Sequence, residues 1–248
     1  MPETIRNPIG LARRNVADLL IRLGDSRPIP PRSLLEQIQL TPWAHEYLAV
    51  GRRSARAIRE ALSSGGLHPG SPASILDFGC GSGRTLRHLG GSGWTLTGCD
   101  IDQAAIDWCS RAIPFARFLT SPSSPPFPSP DESFDAVYAV SVFTHFDEAE
   151  QLVWRDELHR LLRPGGLGVI SVMGADVMSY FGRATSRKRE RLLQDGFLFM
   201  PGEEAFNSRS AFHTPAGIVR LFGPRFALAL YSERGLDGFQ DLVLLRRR

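Results

Sequence analysis

Ile75-Leu76-Asp77-Phe78-Gly79-Cys80-Gly81-Ser82-Gly83 is the stretch that decides the reading of this chain. Two apolar residues lead into Asp77, and three alternating glycines follow it. The pattern predicts a buried strand that ends on a carboxylate and turns sharply through residues without a Cβ. A helix over 84–90 is expected next. A ligand can approach the bare backbone there and meet the positive end of that helix. Such a loop suits a nucleotide-like ligand. The next apolar run, Trp94 to Cys99, closes on Asp100, and a carboxylate in that place can accept from both hydroxyls of a ribose.

The glycine spacing separates two readings. A dinucleotide oxidoreductase would show Gly-x-Gly-x-x-Gly, whereas Gly83 comes one residue early. Three further stretches decide between them: Gly98-Cys-Asp-Ile-Asp102, Ser133-Phe-Asp-Ala-Val-Tyr-Ala-Val-Ser-Val-Phe-Thr-His145, and Leu162-Arg-Pro-Gly-Gly-Leu167. In order and spacing they resemble, with the glycine loop, the successive motifs of class I S-adenosylmethionine-dependent methyltransferases. The resemblance covers residues 70–173 and extends more loosely to both ends.

Composition agrees with a globular enzyme. The chain has 248 residues, 42% hydrophobic and 22% charged, enough for one substantial core with a cap or insertion. No apolar run is long enough to span a bilayer and no signal-peptide pattern is present, so a cytoplasmic location is expected. Cys80, Cys99 and Cys109 read as reduced thiols, and no Cys/His spacing suggests a metal. The net charge is +3, and Lys188 is the single lysine. The arginine excess reads as a coding bias more than a nucleic-acid surface. The densest basic run, Arg183 to Arg191, could meet phosphates or could be a solvated helix face.

Along the chain, residues 1–70 lean to helix, with breaks at Pro28-Ile-Pro-Pro31 and Ser63-Ser-Gly-Gly66 and a helix over 45–62. Strands are expected near 74–78, 95–100, 115–119, 134–140 and 167–173, with helices near 102–112 and 148–162. This alternation predicts an α/β fold with a parallel sheet and helices on both faces. Residues 174–224 interrupt it, and two strands, Phe226–Tyr231 and Phe239–Leu245, close the chain. The family resemblance implies a doubly wound, Rossmann-like, seven-stranded, mostly parallel sheet with a reversed last strand. It also implies an N-terminal helical cap (1–70) on a cofactor-binding domain (71–248), with 174–224 as a substrate-side insertion.

Residue by residue, the resemblance implies S-adenosylmethionine as cofactor. Gly79, Gly81 and Gly83 would present backbone to its methionine part, with Cys80 filling a small-residue slot in the loop. Asp77 would lie near its ammonium group, Asp100 would take the ribose hydroxyls, and Ile101 would pack on the adenine. Ser121 falls where the family often has Asp or Asn reading the adenine edge. Val140, Ser141 and Phe143 would face the sulfonium side. Tyr47, before the core, is either part of a lid over the cofactor or ordinary packing.

Two histidines are candidate bases, since an imidazole can take a proton from an attacking hydroxyl or amine near neutral pH. His145 lies beside the expected methyl position, or else it caps a turn. His213 stands near Glu203, Glu204, Phe206 and Asn207 in the insertion. Thr214 and Pro215 after it read as the cap and first turn of a helix. The function implied is methyl transfer to an oxygen or nitrogen of a small molecule, of the secondary-metabolism kind, with no metal, nucleic-acid or membrane partner. The alternatives are an RNA or protein methyltransferase, an inactive cofactor-binding accessory protein and, more remotely, a nicotinamide oxidoreductase.

Overall fold

The computed structural model describes residues 8–39, 42–180, 185–202 and 209–248. Arg183, Glu203, Glu204, Phe206 and Asn207 lie outside the described residues. The chain begins with α1 (Pro8–Gly24), α2 (Arg32–Gln39) and α3 (Ala44–Ser64). Strands and helices then alternate through β1 (Ala73–Phe78), β2 (Trp94–Asp100), α4 (Gln103–Ala112), β3 (Ala116–Thr120), β4 (Phe134–Ala139), α5 (Glu148–Leu161) and β5 (Leu162–Val172). A 3-10 segment (Ala175–Tyr180), α6 (Ser186–Asp195), the short strands β6 (Phe197–Met200) and β7 (Ser210–His213), and α7 (Pro215–Phe222) follow. β8 (Phe226–Leu236) and β9 (Gln240–Arg247) end the chain.

The main sheet has seven strands in the order β3-β2-β1-β4-β5-β9-β8. β1 to β5 are parallel neighbours, and β9 runs antiparallel between β5 and β8. The reversed last strand is as the sequence led one to expect. β6 and β7 pair in a separate two-stranded sheet inside the insertion.

Each face of the main sheet is buried against helices, because β1 and β4 are apolar on both sides. One core joins Leu76, Phe78 and Val137 to Trp154 and Leu158 of α5 and to Ile218 and Phe222 of α7. The other joins Ile75, Ala136 and Leu167 to Ile58 and Leu62 of α3 and to Cys109 of α4. α3, placed by the sequence in the cap, is therefore one of the helices that cover the sheet. Its close approach depends on Gly51: a Cβ there would lie 2.2 Å from the Arg84 carbonyl oxygen.

Two local expectations change. The helix foreseen over 84–90 is only a three-residue 3-10 turn, Leu86–His88. Gly83 and Gly90 leave too short a run between them to close successive α-helical turns. No α-helix dipole therefore stands behind the loop. The second change concerns Leu162-Arg-Pro-Gly-Gly166, where pairing passes from Phe134↔Leu162 directly to Ala136↔Leu167. The residues between loop out of register, so the turn is embedded as a bulge in β5 rather than lying before it.

Candidate active site

The carboxyl ends of β1, β2 and β4 converge on the glycine loop. Gly79, Gly81 and Gly83 all have positive φ, 77°, 52° and 72°, the left-handed region open to glycine at no steric cost. Gly79 is also boxed in: a Cβ on it would fall 2.3 Å from Cγ2 of Val142, a residue the sequence reading did not single out. The amides of Gly79 and Cys80 both donate to the Cys99 carbonyl at 2.8 Å, tying the loop to the end of β2.

Asp77 and Asp100 face this loop from adjacent strands. Asp77 is buried, and its Oδ2 has no hydrogen-bond partner; the neighbouring Tyr138 hydroxyl is likewise unpartnered. Burial pushes the Asp77 carboxyl up to about 8; the Tyr138 hydroxyl opposes the shift and the charge of Asp100 adds to it. Asp100 accepts from the Gly81 amide at 2.7 Å through Oδ2 and from the Asp102 amide at 3.0 Å through Oδ1. Each oxygen keeps a further lone pair. Burial still raises the Asp100 carboxyl, with these backbone donors pulling it back. Ile101 beside it is exposed, as an apolar platform would be. Ser121 at the end of β3 donates its hydroxyl proton to the Pro122 carbonyl at 3.1 Å, which leaves its oxygen as an acceptor.

The N-terminal helices close over the same edge. Gln37 of α2 donates to Asp102 Oδ2 at 2.9 Å. Arg87, fully buried in the 3-10 turn, pairs with Asp25 at 2.9 Å and donates to the carbonyls of Arg27 and Pro28, each at 3.1 Å. Its guanidinium lies 5.4 Å from the centroid of the Tyr47 ring. Tyr47 is itself buried, and its hydroxyl donates to the Ser82 carbonyl at 2.9 Å. Tyr47 thus supports the glycine loop from behind and is not a lid over its face. Nothing in the sequence pattern marked Arg87 or Gln37, because their partners lie about sixty residues away.

Several predicted residues turn out to be core. Phe143 is fully buried, edge-on to Phe146 and Phe222 with centroids 5.5 Å apart in both pairs, so it faces α5 and α7 and not a ligand. Cys80, Cys99 and Cys109 are free and buried, and burial pushes the Cys80 and Cys99 thiols up. Val140 packs at the margin of the core on the α3 and α4 side. Ser141, by contrast, has a φ of 60°, unusual for a residue with a side chain.

The two histidines separate. His213 is buried, with Nε2 2.8 Å from Gln151 Oε1. Gln151 Nε2 donates to the carbonyls of Phe143 and Phe146 at 3.3 and 3.1 Å, so its Oε1 must accept from a protonated His213 Nε2. Burial, with Arg220 nearby, brings the imidazole down to about 3. This sealed ring cannot serve as a base for a substrate, because no acceptor can reach it. Thr214 does cap α7, its hydroxyl accepting from the Gly217 amide at 3.2 Å, with Pro215 in the first turn. His145 is half-buried in the turn before α5, and its Nδ1 donates to the Arg209 carbonyl at 2.9 Å. That bond assigns the proton to Nδ1 and makes Nε2 the lone-pair nitrogen. Burial, with the Arg209 charge, lowers its basicity.

Residues 76–170 match the family described as a methyltransferase domain. The chain is 26% identical over 203 residues to malonyl-[acyl-carrier protein] O-methyltransferase of Enterobacter lignolyticus, covering 79% of this chain and 74% of that protein. Residues 76–170 are those of a class I S-adenosylmethionine-dependent methyltransferase domain. The chain is also 35% identical over 114 residues to the tRNA N(3)-cytidine methyltransferase of Gallus gallus, where it spans only 30% of that relative's length. In fold it is similar to 1,6-didemethyltoxoflavin-N1-methyltransferase of Burkholderia thailandensis, with a TM-score of 0.56, 19% identity, and coverage of 90% of this chain and 92% of that one. S-adenosylmethionine is the cofactor of this methyltransferase family. The rim fits such a group: the unpartnered buried oxygen of Asp77 calls for a cationic partner, and Asp100 has lone pairs to accept from two hydroxyls.

Proposed function

We propose that this chain transfers a methyl group from S-adenosylmethionine to an oxygen or nitrogen of a compact small molecule. The observation that carries this reading is how the insertion meets the rim. The Ala211 amide of β7 donates to the Thr144 carbonyl after β4, and the His213 amide donates to the Met173 carbonyl after β5, both at 2.8 Å. The insertion has its own small core of Met173, Val177, Met178, Leu192, Leu198 and Phe212. A packed element fixed at that edge favours an enclosed acceptor.

Bound S-adenosylmethionine supplies an electrophilic methyl on a sulfonium. Asp77, the Gly79, Gly81 and Gly83 backbone, Asp100, Ile101 and Ser121 are the residues assigned to hold it, with Val140 and Ser141 toward its reacting end. Methyl transfer needs alignment and exclusion of water more than covalent help. His145 is the assigned base: its Nδ1 proton is held by Arg209, and its lowered basicity keeps the ring neutral at pH 7.

The relation to a tRNA methyltransferase favours a nucleic-acid acceptor as a second reading. Against it, two of the four basic residues on α6 are ion-paired, Arg191 with Asp195 at 3.3 Å and Arg189 with Asp176 at 3.9 Å. The deciding experiment incubates the protein with methyl-labelled S-adenosylmethionine and either a small-metabolite extract or total tRNA. Label in a low-mass product supports the proposal; label confined to tRNA overturns it.

A further inference from the structure

Ser141 combines a left-handed backbone with a closed ring of hydrogen bonds that ties together three strand ends. Its amide donates to Ser171 Oγ at 2.7 Å, on β5. Ser171 Oγ in turn donates to Gln240 Oε1 at 2.7 Å, at the start of β9. Gln240 Nε2 then donates back to Ser141 Oγ at 2.9 Å. The Ser141 carbonyl is fixed as well, accepting from Thr144 Oγ1 at 3.0 Å.

A residue with a Cβ pays about 1–2 kcal/mol to sit at such a φ, and it stays there only where its surroundings over-determine it. The ring supplies that constraint. A single serine or a buried amide would mean little, but here one assignment serves the whole ring. Ser171 accepts from a backbone amide and gives its proton to Oε1, and the Gln240 amide then has Nε2 toward Ser141. The Ser141 hydroxyl in turn donates to Oε1 at 3.1 Å, on the second lone pair of an oxygen that also accepts from Ser171. Its oxygen is thus held at the carboxyl end of β4 with one lone pair left over.

We propose that Ser171 and Gln240 are positioning residues that hold Ser141 in its left-handed conformation and set its hydroxyl oxygen against the reacting, sulfonium end of the bound cofactor. The assignment rests on the reading of residues 140–141 as the sulfonium side of the site. The electronegative oxygen, oriented by Gln240, favours a positive sulfur over a neutral thioether. The ring therefore makes the site prefer S-adenosylmethionine over S-adenosylhomocysteine, the by-product that must leave.

Two measurements on the full chain test this. The first is a double-mutant cycle in denaturant without ligand, combining Ser141→Gly with Ser171→Ala. Glycine removes the strain, so Ser171→Ala should lower the folding constant about tenfold more in the wild-type background than beside Ser141→Gly. Additivity within about twofold overturns the positioning role. The second is calorimetry with S-adenosylmethionine and S-adenosylhomocysteine. Ser141→Ala, Ser171→Ala and Gln240→Leu should each cut the affinity ratio of the two about fivefold, while Ser171→Thr, which keeps the hydroxyl, retains it. Tyr47→Phe, acting through the loop, should weaken both alike. Equal losses for both ligands in the ring variants overturn the sulfonium role. A wild-type protein that binds neither ligand would instead overturn the reading of the site.

Discussion

The Tyr47 hydroxyl donates to the carbonyl of Ser82, inside the glycine loop, at 2.9 Å, and both residues are buried. A helix distant in sequence thereby fixes a loop whose glycines would otherwise let it wander. Removing the hydroxyl leaves a buried carbonyl without its donor, which costs about 1–3 kcal/mol. Tyr47→Phe should lower stability by that amount in chemical denaturation. It should also weaken S-adenosylhomocysteine several-fold by calorimetry, because the loop is no longer pre-set.

Asp77 couples the site to pH. Its folded carboxyl sits near 8, far above its ordinary 3.8, chiefly through burial. The folded protein holds this proton where the unfolded chain has released it. Its contribution to stability is therefore complete below about pH 4 and is lost as pH rises toward 8. Asp77→Asn keeps the shape and removes the ionisation. In the absence of ligand the variant should gain on the wild type as pH is raised from 6 to 9, measured by melting temperature. An ammonium-bearing ligand requires the ionised form, so wild-type binding at pH 7 should release a proton. Calorimetry in buffers of different ionisation enthalpy measures that release, and the variant should show none from this group.

The parts of the fold that sequence revealed are those with short-range causes. Alternating apolar runs, the glycine loop and the Thr214-Pro215 cap each act within a few residues, and each stands where the pattern put it. The errors have long-range causes. Phe143 reads as a rim residue because it follows β4, yet packing with Phe222 turns it inward. His213 reads as a free base because nothing local occupies it, whereas Gln151, from another helix, binds it. Arg87, Ser171 and Gln240 carry no local signature at all; their roles exist only once the segment between α1 and α2, β5 and β9 meet the rim. The helix expected after Gly83 failed for a nearer reason, a second glycine cluster at Gly90-Gly91 that stops it within two turns.

His213 makes the protein sensitive to acid independently of catalysis. Its imidazole is held near 3 by burial, against an ordinary 6.5. Between those values the unfolded chain binds a proton that the folded one refuses, so stability rises with pH across that window. The slope from this group approaches about 1.4 kcal/mol per pH unit. His213→Gln should flatten the acid limb of a stability–pH curve between pH 6 and 4, while leaving methyl transfer at pH 7 within about threefold of wild type. His145→Ala should instead lose at least about tenfold in the chemical step, while also easing the upper part of that limb, since burial lowers this imidazole in the same direction. A transfer rate unchanged by His145→Ala would remove the base from the scheme and leave alignment alone.

Asp100 holds two backbone amides with the same carboxylate that is assigned to the ribose, and substitutions can separate the two roles. One oxygen holds the Gly81 amide at 2.7 Å and the other the Asp102 amide at 3.0 Å; the remaining lone pairs are those assigned to the ribose. Asp100→Asn retains one carbonyl oxygen, and the amide end it creates repels whichever backbone N–H it faces. That variant should therefore lose loop order as well as affinity. Asp100→Ala frees both amides to water and deletes the ribose acceptor outright. With charge-assisted bonds worth about 1.5–3 kcal/mol, its affinity for S-adenosylhomocysteine should fall about 10- to 100-fold. A ligand lacking both ribose hydroxyls should lose clearly less than the parent on Asp100→Ala, because only the share carried by the loop remains. If the dideoxy ligand loses as much as the parent on Asp100→Ala, the carboxylate acts only through the loop, and the ribose contact must be assigned elsewhere.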